Sequence, residues 1–190
     1  GRVVVGGDGA GDAEAGRGGA AGGEVRVHER NRGEGEAVAT GLAHWRGKGL
    51  PHVLVLDADG QHLPEEIPRF LAAAGGEFDL LVGNRMSDLR DMPLVRRMVN
   101  RYMSESISKV CGQHIPDSQC GFRMLSVAVI PHLLDGAARF DYETEMLIVA
   151  SRKGFRIGAV PISTVYSDEV SSIHPVRDTI RFFKLMQRYK

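Results

Sequence analysis

The chain has 190 residues, 24 basic and 24 acidic side chains, a formal net charge of zero and 43% apolar residues. That length supports one domain with a core of its own. The even charge gives no basic surface for nucleic acid, and two cysteines are too few for a disulfide framework or a zinc site. No apolar run approaches the roughly 18–20 residues of a membrane span, and the first residues lack the apolar segment of a signal peptide. These features point to a cytoplasmic, globular protein.

Val3–Val5 reads as a short strand and Glu24–His28 as a second. Residues 6–23 between them are Gly, Ala, Asp, Glu and Arg without periodicity, which predicts a loop and a weak helix. Residues 34–46 carry Ala37, Leu42 and Trp45 on a predicted helix stopped by Gly47 and Gly49. A strand over Val53–Leu56 follows. Pro64 opens a helix with Glu65 and Glu66 in its first turn, where carboxylates complement the dipole. Phe78–Val82 is another strand. Residues 94–110 place Val95, Val99, Met103, Ile107 and Val110 at helical spacing, with Arg96, Arg97 and Arg101 between them. A helix over 142–153 bears Glu143 and Glu145. Short strands over Arg156–Val160 and Ile162–Tyr166 are separated by Pro161, and a basic amphipathic helix runs from Pro175. Strands alternating with helices predict an α/β fold with a largely parallel sheet covered on both faces.

The chemistry concentrates in His52-Val-Leu-Val-Leu-Asp-Ala-Asp-Gly-Gln-His62. In extended chain Asp57, Asp59 and Gln61 project from one face, because side chains alternate with period two. Three oxygen donors then stand just past a strand end, where open α/β sheets bind ligands. Such hard donors suit Mg²⁺ or Mn²⁺, with substrate phosphates completing the shell. The competing reading is a solvated Asp-Gly turn.

Beyond that motif come Val82-Gly-Asn-Arg85, Pro93-Leu-Val-Arg-Arg97 with Asn100, Asp117-Ser-Gln-Cys-Gly-Phe-Arg123, Glu143-Thr-Glu145 and Ser172-Ile-His-Pro-Val-Arg-Asp178. Together, in this order and spacing, they resemble a family-2 glycosyltransferase of the GT-A fold. The dolichol-phosphate mannose synthase group, with its bacterial polyprenyl-phosphate relatives, is the branch most similar. The resemblance implies a Rossmann-like, mostly parallel sheet and transfer of a hexose from a nucleotide diphosphate sugar (GDP-mannose or UDP-glucose type) to a polyprenyl phosphate. It implies that Asp57, Asp59 and Gln61 hold the divalent ion, that Asp8, Asp57 and Asp59 serve the nucleotide sugar, and that Arg85 with Arg96 meets the acceptor phosphate. Arg97 rivals Arg96. A lipid phosphate is already ionised near neutrality and needs no base; a sugar hydroxyl acceptor would need one, for which Asp117 or Glu143 is the choice. Gly121-Phe122 reads as a tight turn with a core aromatic, and His62 and His174 read as structural more readily than as phosphate ligands.

Three differences from the family pattern stand out. The chain begins at what resembles the family's second strand, so the usual first strand is expected to be lacking. Gly7-Asp8-Gly9-Ala10 stands where Asp-Asp-Gly-Ser is usual, and Gly33-Glu34-Gly35 where Gly-Lys-Gly is usual. The rivals are therefore a transferase with a saccharide acceptor and an inactive remnant that binds without turnover. A nucleotidyltransferase would need a basic residue in its Gly-rich loop, and Gly6–Gly11 has none. Residues 1–174 are read as one catalytic domain. In 175–190, Val176, Ile180, Phe183 and Met186 alternate with Arg177, Arg181, Lys184 and Arg188, so the helix either docks peripherally on the cytoplasmic membrane face or covers the domain's core.

Overall fold

The computed structural model describes residues 4–8, 24–57, 60–90, 92–134, 142–163, 182, 186–187 and 189. Strand β1, Val4–Asp8, pairs in parallel with β2, Glu24–His28. Helix α1, Glu34–Trp45, follows, then β3, His52–Val55. A 3-10 turn, Pro64–Glu66, leads into α2, Ile67–Ala73. After β4, Leu80–Asn84, a second 3-10 turn, Arg85–Ser87, precedes the long helix α3, Leu94–Cys111. The rest comprises β5, Arg123–Ser126; α4, Ile130–Leu134; α5, Tyr142–Arg152; and β6, Ile157–Pro161.

The four later strands form one sheet in the order β3-β5-β4-β6. β5 runs antiparallel to both β3 and β4, while β4 and β6 are parallel. Three of the four strands therefore point the same way, as the alternating pattern predicts. The antiparallel β5 was not expected; four residues, Arg-Met-Leu-Ser, carry no alternation of their own, and its pairing is a tertiary event. The five-residue α4 was missed likewise. β1 and β2 form a separate two-stranded sheet. Among the described residues no strand joins β1 to β3, and α1 packs against both sheets.

Local chemistry explains the departures in element type. The helix expected from Pro64 starts as a 3-10 turn because Pro68 has no N–H to offer the Pro64 carbonyl; Ile67 N–H caps that carbonyl instead, and the α-helix begins there. Pro161 closes β6, which is an edge strand, where a missing donor is tolerated. Residues 164–166 of the expected last strand lie outside the described residues, as does the 174/175 boundary.

β4 is buried along Leu80–Gly83, as a strand covered on both faces should be. Phe70, Leu80, Leu125, Ile107, Leu147 and Ile148 centre the core between sheet and helices. Phe122 is fully buried and stacks on Phe70 at 4.4 Å between ring centroids, so the expected core aromatic is in place. From the C-terminal segment, Phe182 is buried and Met186 and Tyr189 pack against this core. Tyr189 lies under the Arg152 guanidinium at 4.7 Å, and Arg152 Nη2 donates to its carbonyl at 2.6 Å. Val176, Ile180 and Phe183 lie outside the described residues. Where the segment is described, it covers the domain's core rather than facing outward.

Along α3, Met103, Ile107 and Val110 meet the core, while Val95 and Val99 stand exposed.

Close packing at Gly83 gives a test. A Cβ there would lie 2.6 Å from Ile162 Cδ1 and 2.8 Å from Cys120 Sγ. Ile162 can swing away, but Cys120 is fully buried. Gly83→Ala should lower stability by about 1–3 kcal/mol in urea unfolding, with the m-value unchanged.

Candidate active site

Asp57 lies two residues past β3, and Arg85 immediately follows β4. Both strands oppose β5, so both end on one sheet edge. β5 begins at that edge, with Arg123 opposite both Val55 and Val82. The segment 117–122 feeding β5 therefore crosses between Asp57 and Arg85, and it touches each of them.

The Asp57 carboxylate rests on the backbone of Gly121. A Cβ at Gly121 would come within 2.3 Å of Asp57 Oδ2 and 2.9 Å of Oδ1, so only glycine leaves the carboxylate where it is. The buried His62 turns its Nε2 toward Oδ2 at 3.3 Å and packs against Phe122. His62 thus orients the carboxylate, in keeping with its structural reading. The Asp57 side chain remains 36% exposed. Gln61 is half-buried in the following loop; Asp59 and His174 lie outside the described residues.

On the other side, Asp117 is fully buried and holds Arg85 as a fork. Arg85 Nε donates to Oδ2 at 2.7 Å, Nη2 to Oδ1 at 2.9 Å, and the Arg85 backbone N–H to Oδ2 at 3.1 Å. Asn100 Nδ2, from α3, donates to Oδ1 at 3.0 Å and the Gln119 N–H at 3.3 Å. Five donors meet about four lone-pair sites. Burial alone would raise the Asp117 pKa; the Arg85 hydrogen bonds and charge, with Asn100, outweigh it and hold the carboxyl below its usual range. A carboxylate so engaged is a poor general base. In this structure the Asp117 carboxylate is engaged by Arg85, Asn100 and Gln119, and it positions the Arg85 guanidinium.

Arg96 and Arg97, four and three residues before Asn100, both neighbour it on the helix. Arg96 is half-buried, whereas Arg97 is exposed. Glu143 and Glu145 both fall in the first turn of α5, with Glu145 buried and accepting from Tyr189 Oη at 3.3 Å. Asp8 ends β1, and only its backbone is described. Gly33 takes φ 94° ahead of α1, and a Cβ at Gly35 would strike Tyr142 at 2.9 Å, so both glycines around Glu34 have backbone reasons.

Arg123 is the residue whose weight sequence reasoning missed. Its guanidinium, 1% exposed, donates to the carbonyls of Cys120 (2.8 Å), Ser118 (2.9 Å) and Glu143, tying the crossing segment to α5. An arginine opening an apolar Met-Leu strand was the available signal. Ser118 N–H also donates to Ser104 Oγ on α3 at 2.9 Å. Burial pushes the Cys120 thiol up to about 12, so it is inert at neutral pH.

The residues fit a cation that arrives with a diphosphate. Asp57 offers a hard, partly open oxygen donor of fixed orientation, in a cradle that a Gly121 side chain would fill. Among the described residues no three His, Cys, Asp or Glu side chains cluster as a complete metal site. Ligands from Asp59 or from phosphate oxygens would have to complete it.

The Asp117 network generates a stability prediction. Asp117→Asn leaves the Arg85 fork half-unpaired and should lower stability by on the order of 3 kcal/mol at pH 7. Because the folded pKa is depressed, the stabilisation is complete above the ~3.9 of a free aspartate and is lost as pH falls through the lower folded value. Acid titration of unfolding should therefore show a wild-type component below that pH which the asparagine variant lacks.

Comparison with known proteins gives three further findings. Residues 19–134 match the family described as glycosyl transferase family 2. The UDP-N-acetylglucosamine–dolichyl-phosphate N-acetylglucosaminyltransferase of Methanococcus voltae is 33% identical over 147 residues, covering 74% of this chain and 59% of that protein. The dolichyl-phosphate beta-glucosyltransferase of Saccharomyces cerevisiae is 30% identical over 154 residues, covering 70% of this chain and 45% of that one. The chain thus spans about half the length of these relatives. Among solved structures, glucosyl-3-phosphoglycerate synthase of Mycobacterium tuberculosis, in complex with Mn²⁺, UDP and glucosyl-3-phosphoglycerate, superposes with TM-score 0.63 at 18% identity, covering 99% of this chain and 67% of that one. At that identity the likeness speaks for the fold alone, and the fold is GT-A. With more than half of its residues matched, the chain belongs to glycosyl transferase family 2.

Proposed function

We propose that this protein transfers a hexose from a nucleotide diphosphate sugar, of the GDP-mannose or UDP-glucose type, to a polyprenyl phosphate, working peripherally on the cytoplasmic face of a membrane. The names of the two curated relatives, both acting with dolichyl phosphate, support the acceptor class. The observation that carries the reading is the engagement of Asp117. Its acceptor sites are filled by Arg85, Asn100 and Gln119, so what the edge opposite Asp57 presents is a clamped guanidinium rather than a free base. A saccharide hydroxyl would need its proton removed. An ionised phosphate does not, and the Nη1–Nη2 end of the guanidinium, turned away from Asp117, presents N–H donors that match its oxygens.

In this reading Asp57, Asp59 and Gln61 hold Mg²⁺ or Mn²⁺ together with the donor diphosphate, and Asp8 with Asp57 and Asp59 serves the nucleotide sugar. The cation, when bound, stabilises the negative charge of the departing nucleotide. Arg85 and Arg96 receive the acceptor phosphate. His62 and Gly121 fix where the Asp57 oxygens point, and Asp117 fixes where the Arg85 fork points.

Calorimetric titration of Mn²⁺ in the presence of UDP or GDP tests the donor side. Wild type should bind, Asp57→Ala should not, and Gly121→Ala should weaken binding about tenfold or more by displacing the carboxylate. Equal binding by all three proteins would remove Asp57 from the site. Binding without any sugar transfer would favour an inactive fold.

The acceptor side is read from Arg85→Lys, since an ammonium cannot reproduce two parallel hydrogen bonds. It should lose about tenfold or more in kcat/KM for a prenyl phosphate while donor affinity stays unchanged. Wild-type transfer by this variant would refute the assignment.

A further inference from the structure

We propose that Glu66 is a positioning residue of the donor side: its buried carboxylate grips the chain where it leaves β6 and so fixes the far end of the loop that begins at Asp57. The inference rests on the reading of Asp57 and Gln61 as ligands of a cation, and deepens it. Three acids are buried among the described residues: Asp117, Glu145 and Glu66. Glu66 is 6% exposed, and it makes no capping hydrogen bond to its own helix α2. Its Oε1 accepts instead from the backbone N–H of Ser163, 97 positions later, at 3.2 Å. Its Oε2 stands 2.8 Å from Arg69 Nη1, which donates in turn to the Pro161 carbonyl at 3.1 Å. One carboxylate and one guanidinium, a turn apart, thus hold the carbonyl of residue 161 and the N–H of residue 163.

Topology gives this grip its reach. β3 and β6 are the outer strands of the sheet, and β3, β4 and β6 all end on one edge. Strands lie about 4.8 Å apart, so the stretch from Asp57 to Glu66 crosses three spacings, about 14 Å. Along the way His62 packs on Phe122 at 5.3 Å between ring centroids, and Phe70 of α2 stacks on the same ring. Those contacts seat the middle of the stretch on the crossing segment, and Glu66 seats its end on the far strand. The receiving chain is itself fixed. The Ile162 N–H donates to the Asn84 carbonyl at 3.2 Å, next to Arg85, and the buried Ile162 side chain packs on Gly83. Segment 161–163 is therefore a second bridge, besides 117–122, between the Asp57 side of the edge and the Arg85 side. A buried carboxylate is a costly fastener, since an apolar side chain of similar size would avoid the loss of hydration. What it adds is direction: an acceptor oxygen fixes the place of one backbone N–H, which apolar contact does not.

Calorimetric titration of Mn²⁺ in the presence of UDP, on the full chain, tests the grip. Glu66→Ala should weaken binding about tenfold or more, as loss of a group that orients a metal ligand does. Glu66→Gln keeps an acceptor oxygen for the Ser163 N–H and should restore binding to about the wild-type value. Ser163→Pro deletes that N–H from an exposed residue and should reproduce the alanine loss with the carboxylate still in place. Asp79→Ala is the control for stability alone. Asp79 Oδ2 accepts from the Arg156 N–H at 2.9 Å, at the opposite edge of the sheet. Its loss should lower the melting temperature and leave Mn²⁺ affinity unchanged. In transfer assays Glu66→Ala should raise the KM for the donor and leave the KM for the acceptor unchanged. Wild-type affinity in Glu66→Ala or Ser163→Pro, no rescue by glutamine, or equal weakening in Asp79→Ala would overturn the proposal. Asp57→Ala in the same series separates the two readings. Loss of binding there, beside wild-type affinity in both grip variants, sinks the grip alone. Equal binding by wild type and Asp57→Ala overturns the donor site and the grip with it.

Discussion

The buried carboxylate of Asp117 is the contact on which the edge of this sheet depends. It lies at the start of the crossing segment 117–122 between the ends of β3 and β4, and it draws five donors from three separate parts of the chain. Removing such a charge from water is unfavourable unless its lone pairs are filled. Here they are filled, and the same bonds that satisfy the carboxylate aim the Arg85 fork. The binding geometry of one residue is thereby a by-product of the solvation requirement of another.

The crossing segment works in both directions. At its far end Gly121 presents bare backbone to Asp57, so the position of the carboxylate is set by the absence of a side chain. Between these two ends Arg123 gathers the carbonyls of Ser118 and Cys120 and ties them to α5. An anion-seeking guanidinium and a cation-seeking carboxylate are thus held at opposite ends of one short, rigid piece of chain.

α3 divides its labour along its length. Its second half packs into the domain and lends Ser104 to the crossing segment, while Asn100 braces Asp117. Its first half holds apolar side chains in solvent with arginines between them.

Much of this was legible in the residues. The strand before Asp57, the helix over 94–111, the core aromatic at Phe122 and the GT-A family followed from apolar runs, period and motif order, all of which are local or linear properties. The approximate place of Asp57 and Arg85 at one edge followed from each standing just past a strand. What the sequence could not decide were contacts between segments distant in the chain. β5 exists because two strands left a slot for it, and its four residues carry no pattern. Apolar residues at helical spacing predicted the helix α3, but period alone cannot tell a face that meets the core from a face that meets solvent. Arg96 and Arg97 are equivalent in the sequence, and only the fold leaves one half-buried and the other exposed. For a hydroxyl acceptor Asp117 or Glu143 read as the base, because a carboxylate in a motif looks available; only the folded chain, by bringing Arg85 and Asn100 to Asp117, determined that its lone pairs are engaged.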